Sequence, residues 1–202
     1  MEVKSDYIED LKVIKKVMEE SSRFLSLSGL SGVFAGIIAL LGSAAAYIFF
    51  LGGQGVLSFE NISAHKTGLG IDALLVLVLA IAVSLYLSYR KSMRKGTGMW
   101  TPVSKRLLIN LLVPLVTGGI LIIILYSQHN WQLIIPSMLI FYGIALVSAG
   151  KFTYNEVFCL GLSEILTGLL SALLPSYGLF FWAFGFGILH IAYGLFLFRK
   201  YE

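Results

Sequence analysis

The chain has 202 residues, of which 57% are hydrophobic and 13% charged, and its formal net charge is +4. Its mean hydropathy of +0.86 is far from the balance of a soluble globular domain, so we expect lipid to be its solvent. The basic residues lie in the short segments between apolar runs, which argues against a nucleic-acid-binding surface and indicates a role in membrane topology.

The N-terminal 22 residues form a polar segment with a helical apolar stripe. Tyr7, Leu11, Ile14 and Met18 recur at helical spacing, and acidic and basic side chains fill the other faces. This pattern predicts a cytoplasmic amphipathic helix over residues 1–22. Because its charges are mixed, we expect the helix to lie on the cytoplasmic loops or on another subunit rather than to anchor in anionic lipid.

Six apolar stretches follow, and each has about the 20 residues that a helix needs to cross a hydrocarbon core of about 30 Å. The predicted spans are residues 26–51, 68–89, 104–126, 131–149, 154–174 and 178–198. Only helices fit, since long continuous apolar runs lack the alternation of a membrane β-strand. Residues 23–202 are therefore predicted to form an all-α, polytopic membrane bundle. The short connections after the third and fifth spans predict antiparallel neighbours, so we expect three helical hairpins.

The distribution of lysine and arginine predicts the orientation of the spans. Of the fifteen basic residues, five precede the first span, six lie in the connection after the second, one in that after the fourth and two after the sixth. Lys66 alone falls on the opposite side, so the positive-inside rule places both termini in the cytoplasm. We expect a multi-pass protein of the cell (cytoplasmic) membrane, in which residues 1–22 and 90–106 are available to a cytoplasmic protein partner.

Small residues recur within the spans at helical spacing. Gly32 and Gly36 in the first span form a stripe that lets helix backbones approach closely. The sequence Gly-Leu-Ser followed by a glycine five residues later occurs over residues 29–36 and again over residues 161–168. This weak repeat agrees with several copies of one helical hairpin.

Two ionisable residues, Glu164 and His190, lie deep in the last two spans. Each is about 20 Å of helix rise from the turn between the spans, so we expect the two side chains to face each other at one depth. Each has a glycine at i−3 and at i+4, which places both in glycine-lined stripes that we predict to mate. The glycines are Gly161, Gly168, Gly187 and Gly194.

Two roles fit this buried carboxylate and imidazole. They could share one proton and act as a pH-responsive latch or a proton relay, or they could form a hydrogen bond that only fixes the register of the hairpin. A cavity around them would include Asn110, Tyr142 and Tyr193. Asp72, at the predicted outer start of the second span, is interpreted as a helix-start residue, because a carboxylate is favourable in the first turn.

The sequence has no His-Glu-x-x-His helix, Walker loop or Gly-x-Ser-x-Gly elbow, so we expect no catalytic residue. Its one cysteine, Cys159, rules out a Cys-based zinc cage, and we expect neither a metal nor a cofactor. Two functions stay open: a non-catalytic membrane subunit or stress-response protein with a cytoplasmic partner, and a channel or transporter of a small solute or proton. The apolar centres of the second, third and fourth spans favour the former. A homo-oligomer is compatible with either.

The last hairpin also carries a family resemblance. It contains a run of spaced glycines, a proline at the turn and a basic residue at its end, which are Gly161, Gly168, Pro175, Gly185, Gly187, Gly194 and Arg199. In this pattern the hairpin resembles the unit of HdeD-type acid-resistance membrane proteins. The resemblance implies a small six-span inner-membrane protein linked to acid stress, with no known catalytic residue.

Overall fold

The computed structural model describes residue 24 and residues 27–50, 59–94 and 100–201, with the side chains of 59–63 excepted. This part of the chain is helical and contains six helices that are long and apolar enough to cross a membrane. The predicted number of apolar helices is therefore confirmed. The amphipathic helix predicted over residues 1–22 lies outside the described residues.

We number the six helices α1 to α6 in chain order. Three of them, α1, α4 and α6, combine α-helix with a short π-helical or 3₁₀ segment. α1 is Gly29–Ala45 with a π-helical extension Ala46–Phe50, α2 is Phe59–Arg94, and α3 is Pro102–Ser127. α4 is the 3₁₀ turn Trp131–Leu133 with Ile134–Gly150, and α5 is Asn155–Leu173. α6 comprises the 3₁₀ turn Pro175–Tyr177, the α-helix Gly178–Trp182, the π-helix Ala183–Leu189 and the α-helix His190–Tyr201.

The start of α3 is fixed by local hydrogen bonds. Thr101 Oγ1 accepts from the backbone N–H of Ser104 at 3.1 Å, and Ser104 Oγ accepts from the backbone N–H of Thr101 at 2.8 Å. This capping box satisfies donors that the first turn would otherwise leave unpaired. Pro102 occupies the first helical position, where its missing N–H costs nothing.

α2 begins earlier than the apolar pattern predicts. It starts at Phe59, well before Asp72, and runs as one helix of 36 residues to Arg94. The interpretation of Asp72 as a first-turn residue is therefore wrong: the carboxylate lies in the helix interior and faces Gly42 of α1. Hydropathy marks the stretch that suits lipid, whereas the helix backbone continues to hydrogen-bond through the polar residues before it.

The main contacts between helices follow the order α3, α4, α5, α6, α1, α2, and α4 also contacts α6. Neighbours in this order run antiparallel: Gly118 of α3 meets Phe141 of α4, for example, and Gly36 of α1 meets Gly187 of α6. The core lies among α1, α4, α5 and α6. In α2 and in α3, only 6% of the most apolar 18-residue stretch is buried, compared with 28–39% in the other four helices. α2 and α3 therefore flank the bundle.

The glycine stripes of the last two helices mate with other helices rather than with each other, which corrects the sequence prediction. Gly161 of α5 packs on Gly143 of α4, where a Cβ on either glycine would lie 2.6–2.7 Å from the other's carbonyl oxygen. Gly187 and Gly194 of α6 pack on α1. Spacing identifies a helix face but not its neighbour, and each stripe meets the helix that offers small residues at matching heights. The remaining predicted packing glycines follow the same division, with Gly168 on α4 and Gly32 and Gly36 on α6.

The short segment ahead of α1 is tied to one end of the bundle by three hydrogen bonds. Lys91 Nζ at the end of α2 donates to the carbonyl of Leu27 at 2.6 Å. Thr153 Oγ1, between α4 and α5, donates to the carbonyl of Phe24 at 2.7 Å, and the Phe24 N–H donates to the carbonyl of Phe152 at 2.7 Å. These contacts bring the start of α1, the end of α2 and the α4–α5 turn together.

The two ends of the bundle differ in charge. We call the end at which α1, α3 and α5 begin the basic end; it carries eight of the nine basic residues in the described part of the chain. There Lys200 Nζ pairs with Glu156 Oε1 at 2.6 Å, which joins the end of α6 to the start of α5. The ninth, Lys66, lies at the opposite end, with its Nζ 5.9 Å from the centre of the Trp131 ring.

Candidate functional site

Glu164 lies in the centre of the bundle on α5, with none of its surface exposed. Gly185 of α6 packs directly on its carboxylate, since a Cβ at Gly185 would lie 2.6 Å from Glu164 Oε2 and 2.6 Å from Leu139 Cδ2 of α4. Glycine at position 185 therefore allows the α6 backbone to pass over the carboxylate. Neither oxygen of Glu164 makes a hydrogen bond with any residue that the structure describes. A buried charge in that situation is costly unless a counter-charge lies close to it.

His190 of α6 supplies that neighbour. Its Nδ1 lies 3.3 Å from Glu164 Oε1 and 3.0 Å from the carbonyl oxygen of Gly185, and only 6% of the residue is exposed. Because a carbonyl oxygen only accepts hydrogen bonds, the contact with Gly185 places a hydrogen on Nδ1. The structure thus brings Glu164 and His190 together, and we refer to them as the Glu–His pair.

Tyr142 of α4 holds the other nitrogen of the imidazole. Its hydroxyl oxygen lies 2.7 Å from His190 Nε2, and the two rings are stacked with their centres 5.4 Å apart. With the hydrogen on Nδ1, the neutral imidazole accepts the tyrosine hydroxyl hydrogen at Nε2. An imidazolium would instead donate from Nε2 to the same oxygen. The Tyr142 hydroxyl can therefore serve both protonation states without moving.

Aromatic rings close the site on the side away from the basic end. Phe186 lies with its ring centre 5.1 Å from that of Tyr142 and 6.1 Å from that of His190. Trp182 follows at 5.5 Å from Phe186 and packs against Ala39 of α1. The Glu–His pair is therefore packed among side chains on this side, in a low-dielectric setting that strengthens its electrostatic interactions.

The π-helix Ala183–Leu189 immediately precedes His190 and includes Gly185. Such wide turns are rare and are frequently found at functional sites. This segment was not predicted from the sequence, where its one signal is the pair of glycines at 185 and 187 ahead of the buried histidine.

The other predicted cavity residues lie in different surroundings. Asn110 donates from its side-chain amide to the carbonyl of Arg106 at 2.8 Å, a bond within α3, and none of the described hydrogen bonds joins it to the Glu–His pair. Tyr193 is one turn beyond His190 on α6 and packs against the core cluster that contains Tyr154 and Leu197. Its hydroxyl is buried and has no hydrogen-bond partner among the described residues.

Ser171 was not predicted as a site residue. It is completely buried on α5, seven positions after Glu164 and hence on the same helix face. Its hydroxyl makes no hydrogen bond within the described part of the chain. The available sequence signal was this helical spacing from the buried glutamate.

The site can bind and release protons, since a carboxyl group, an imidazole and a phenol are in contact there. The Glu–His pair can exist as a carboxylate beside an imidazolium or as a carboxylic acid beside a neutral imidazole. Comparisons of the chain with protein-family models, curated proteins and solved structures found no match. The resemblance of the last hairpin to HdeD-type proteins therefore stays a prediction.

Proposed function

We propose that this chain is a non-catalytic, multi-pass membrane protein whose bundle responds to protonation of the Glu–His pair. The observation that carries the proposal is the completely buried Glu164 carboxylate, 3.3 Å from the imidazole of His190 and without a hydrogen bond to any other described residue. Ionisable groups at such depth are expensive to bury and mark functional sites in membrane proteins.

A change of proton occupancy would alter the packing of three helices. Glu164 belongs to α5, His190 to α6 and Tyr142 to α4, and each touches at least one of the other two groups. A charged pair attracts across the α5–α6 contact, whereas adding a proton to the carboxylate removes that attraction in a setting with little screening. The free energy of the contact between α5 and α6 therefore depends on pH.

The charge distribution supports the membrane placement. Eight of the nine described basic residues lie at the basic end, which the positive-inside rule assigns to the cytoplasm together with both termini. The antiparallel contacts of α1 with α2, and of α4 with α3 and α5, agree with an arrangement in hairpins. Residues 1–22 and 90–106 would then meet a cytoplasmic partner, in keeping with the stress-response role that the HdeD-type resemblance implies.

Proton transfer across the membrane is a second candidate function. It is favoured by the buried hydroxyls of Ser171 and Tyr193, which have no hydrogen-bond partner among the described residues and lie on either side of the Glu–His pair. The close packing of Phe186 and Trp182 around the pair argues for a responsive bundle over a conducting one, because conduction needs a continuous wettable path.

Infrared difference spectroscopy tests the proposal on the purified protein in lipid nanodiscs. We expect a carboxyl C=O band to appear or disappear when the pH is changed, because adding a proton to the Glu164 carboxylate creates this bond vibration. This band should be absent in Glu164→Gln. The matched control is Asp72→Asn, which removes one carboxylate of α2 and should retain the band. A spectrum of Glu164→Gln that matches wild type would refute the proposal.

Proton flux into liposomes distinguishes the two candidates. A pH-sensitive dye trapped inside should show the same leak rate for wild type and Glu164→Gln if the pair only responds to protons. A leak that wild type supports and Glu164→Gln abolishes would favour the transport function instead.

A further inference from the structure

A groove of about 490 Å³ opens between α5 and α6 near the basic end. Glu156 and Ser163 mark the two ends of its α5 wall, and Phe196 and Leu189 mark those of its α6 wall, each pair about 10 Å apart in helix rise. Cys159 and Phe196 are exposed, so the groove opens at the side of the bundle. In the proposed membrane placement it therefore extends from the headgroup region at the basic end into the hydrocarbon.

The deep part of the groove is mainly apolar. Leu160, Leu189 and Ala192 line it, and the hydroxyl of Ser163 donates to the carbonyl of Cys159 at 3.1 Å within α5. Water is excluded from the hydrocarbon of a bilayer, and an empty groove would forfeit the van der Waals contacts of its walls. An acyl chain supplies these contacts and needs no polar partner.

The mouth of the groove carries one charge of each sign. Glu156 is the one acidic residue that the structure describes at the basic end. Its Oε1 accepts from Lys200 Nζ at 2.6 Å and from the Tyr201 hydroxyl at 3.2 Å. Lys200 Nζ also lies 5.6 Å from the centre of the Phe196 ring, at the rim of the groove. Both charged groups have further bonding capacity, since a carboxylate offers about four lone-pair sites and an ammonium three N–H donors.

We propose that this groove binds one phospholipid whose headgroup carries a phosphate and a primary ammonium, as that of phosphatidylethanolamine does. One acyl chain lies along the groove between α5 and α6. The phosphate accepts a hydrogen bond from Lys200 and the lipid ammonium donates to Glu156, so each charge of the headgroup meets its opposite. The positive-inside rule assigns this lipid to the cytoplasmic leaflet. The site requires the proposed membrane placement but no change in the protonation of the Glu–His pair.

Other occupants of the groove match its mouth less well. A phosphatidylglycerol headgroup brings a phosphate for Lys200 but no cation for Glu156. A phosphatidylcholine headgroup brings a cation without N–H donors, so it makes no hydrogen bond to the carboxylate. An apolar helix of a second copy of the chain would fill the groove but would offer no new partner to the two charges.

Native mass spectrometry of the protein released from detergent micelles tests the headgroup. We expect wild type to retain one phosphatidylethanolamine per chain in preference to phosphatidylglycerol or phosphatidylcholine when the lipids are supplied in equal amounts. Glu156→Gln should retain about tenfold less phosphatidylethanolamine and an unchanged amount of phosphatidylglycerol, because it loses one charge-assisted hydrogen bond. The variant should fold, since partly exposed ion pairs contribute little to stability.

The matched control for this variant is Asp72→Asn, which removes a carboxylate of α2 away from the groove and should bind the lipid as wild type does. A preference of wild type for either of the other two lipids would overturn the proposal. So would equal retention of phosphatidylethanolamine by wild type and Glu156→Gln.

Filling the groove tests the position of the acyl chain. Ala192→Phe places a ring in the groove and should abolish retention of phosphatidylethanolamine. Ala82→Phe makes the same change at an exposed position of α2 and should leave retention unchanged. Loss of the lipid in both variants, or in neither, would contradict the site. The same spectra report oligomers: a wild-type dimer that dissociates in Ala192→Phe would show that a second copy occupies the groove instead.

Cys159 provides a test on the unmodified chain, since it is the one cysteine of the sequence and lines the groove. Added phosphatidylethanolamine should slow its alkylation by N-ethylmaleimide in micelles, whereas phosphatidylglycerol should not. An alkylation rate that phosphatidylethanolamine leaves unchanged would overturn the proposal. The two proposals fail separately: a protein that retains the lipid but has no pH-dependent carboxyl band refutes only the response to protonation, and the reverse result refutes only the lipid site.

Discussion

The imidazole of His190 lies between two acceptors, and this arrangement defines the site at the scale of single residues. Its Nδ1 is 3.0 Å from the Gly185 carbonyl and 3.3 Å from Glu164 Oε1, so one hydrogen can serve the backbone or the carboxylate. Tyr142 holds the opposite nitrogen at 2.7 Å. The histidine is thereby kept in place while its preferred acceptor depends on the charge of Glu164.

A side chain at position 185 should destabilise the protein. We expect Gly185→Ala to lower the free energy of unfolding in detergent micelles by about 1–3 kcal/mol, because its Cβ would approach both Glu164 and Leu139 to 2.6 Å. Gly119→Ala is the matched control, since a Cβ at that helical glycine has nothing within 4 Å and should be neutral or stabilising. Equal thermal shifts in the two variants would contradict the packing described for the carboxylate.

Tyr142→Phe should have a small effect on stability and a larger one on proton binding. Removing the hydroxyl costs one interhelical hydrogen bond, about 0.6 kcal/mol in membrane proteins. It also removes the acceptor of the charge-assisted bond that an imidazolium donates, which is stronger than the bond to the neutral ring, so the Glu164 carboxyl band should be more intense at a given pH. A band of wild-type intensity would contradict a contact between the hydroxyl and the imidazole.

Residue positions in the site could be predicted in part from the sequence. Counting helix rise from the turn placed Glu164 and His190 at one depth, and Tyr142 was among the expected cavity residues; these three touch in the structure. Asn110 satisfies its amide within its own helix, which a polar side chain in an apolar span can do without a partner helix. The role of Gly185 depends on a tertiary contact and leaves no periodic signal.

At the scale of elements, close packing decides which helices are neighbours. Gly161 meets Gly143 on α4, and Gly187 meets Gly36 on α1. The glycine-lined faces of α5 and α6 therefore each pack against a helix other than the hairpin partner. Helical spacing could predict these faces, but the choice among five other helices depends on matching heights across the bundle. The contact that remains between α5 and α6 is spread along α6 and includes the π-helix Ala183–Leu189, next to the carboxylate.

Lys91 should stabilise the segment ahead of α1 against local opening. We expect Lys91→Met to raise hydrogen exchange by several-fold in a peptide covering residues 27–34, because the variant loses the donor to the Leu27 carbonyl. Arg90→Met, which removes an exposed charge one position earlier, is the matched control and should leave exchange there unchanged. Mass spectrometry of peptic fragments measures both variants. Equal protection in the two would contradict a role for Lys91 in holding this segment.

At the scale of the whole molecule, composition and length could predict six apolar helices, because the hydrocarbon thickness sets their length. Composition and length could not predict how these helices pack against one another. α2 and α3 lie at the two ends of the spatial order although they follow each other in the chain. Hydropathy does not distinguish a helix that faces lipid from one that faces protein, since both are apolar.

Labelling of single cysteines tests the membrane placement. In a Cys159→Ser background, a cysteine at Ser127, the last residue of α3, should react with an impermeant maleimide added to intact cells. A cysteine at Lys105, near the start of α3, should react only after the membrane is opened, because positive-inside placement puts the basic end in the cytoplasm. Labelling of Lys105→Cys from outside would contradict that placement.

Because α2 and α3 are not principal neighbours, the molecule should assemble from two polypeptides divided between these helices. The backbone between Arg94 and Trp100 links two helices that are not principal neighbours, whereas α1 reaches α6 through Gly36 and Gly187. Two polypeptides cut at Gly98 and expressed together should therefore find each other in the bilayer and copurify. Replacing Gly36 with Val should abolish this complementation, because its Cβ would approach the Gly187 carbonyl to 2.6 Å.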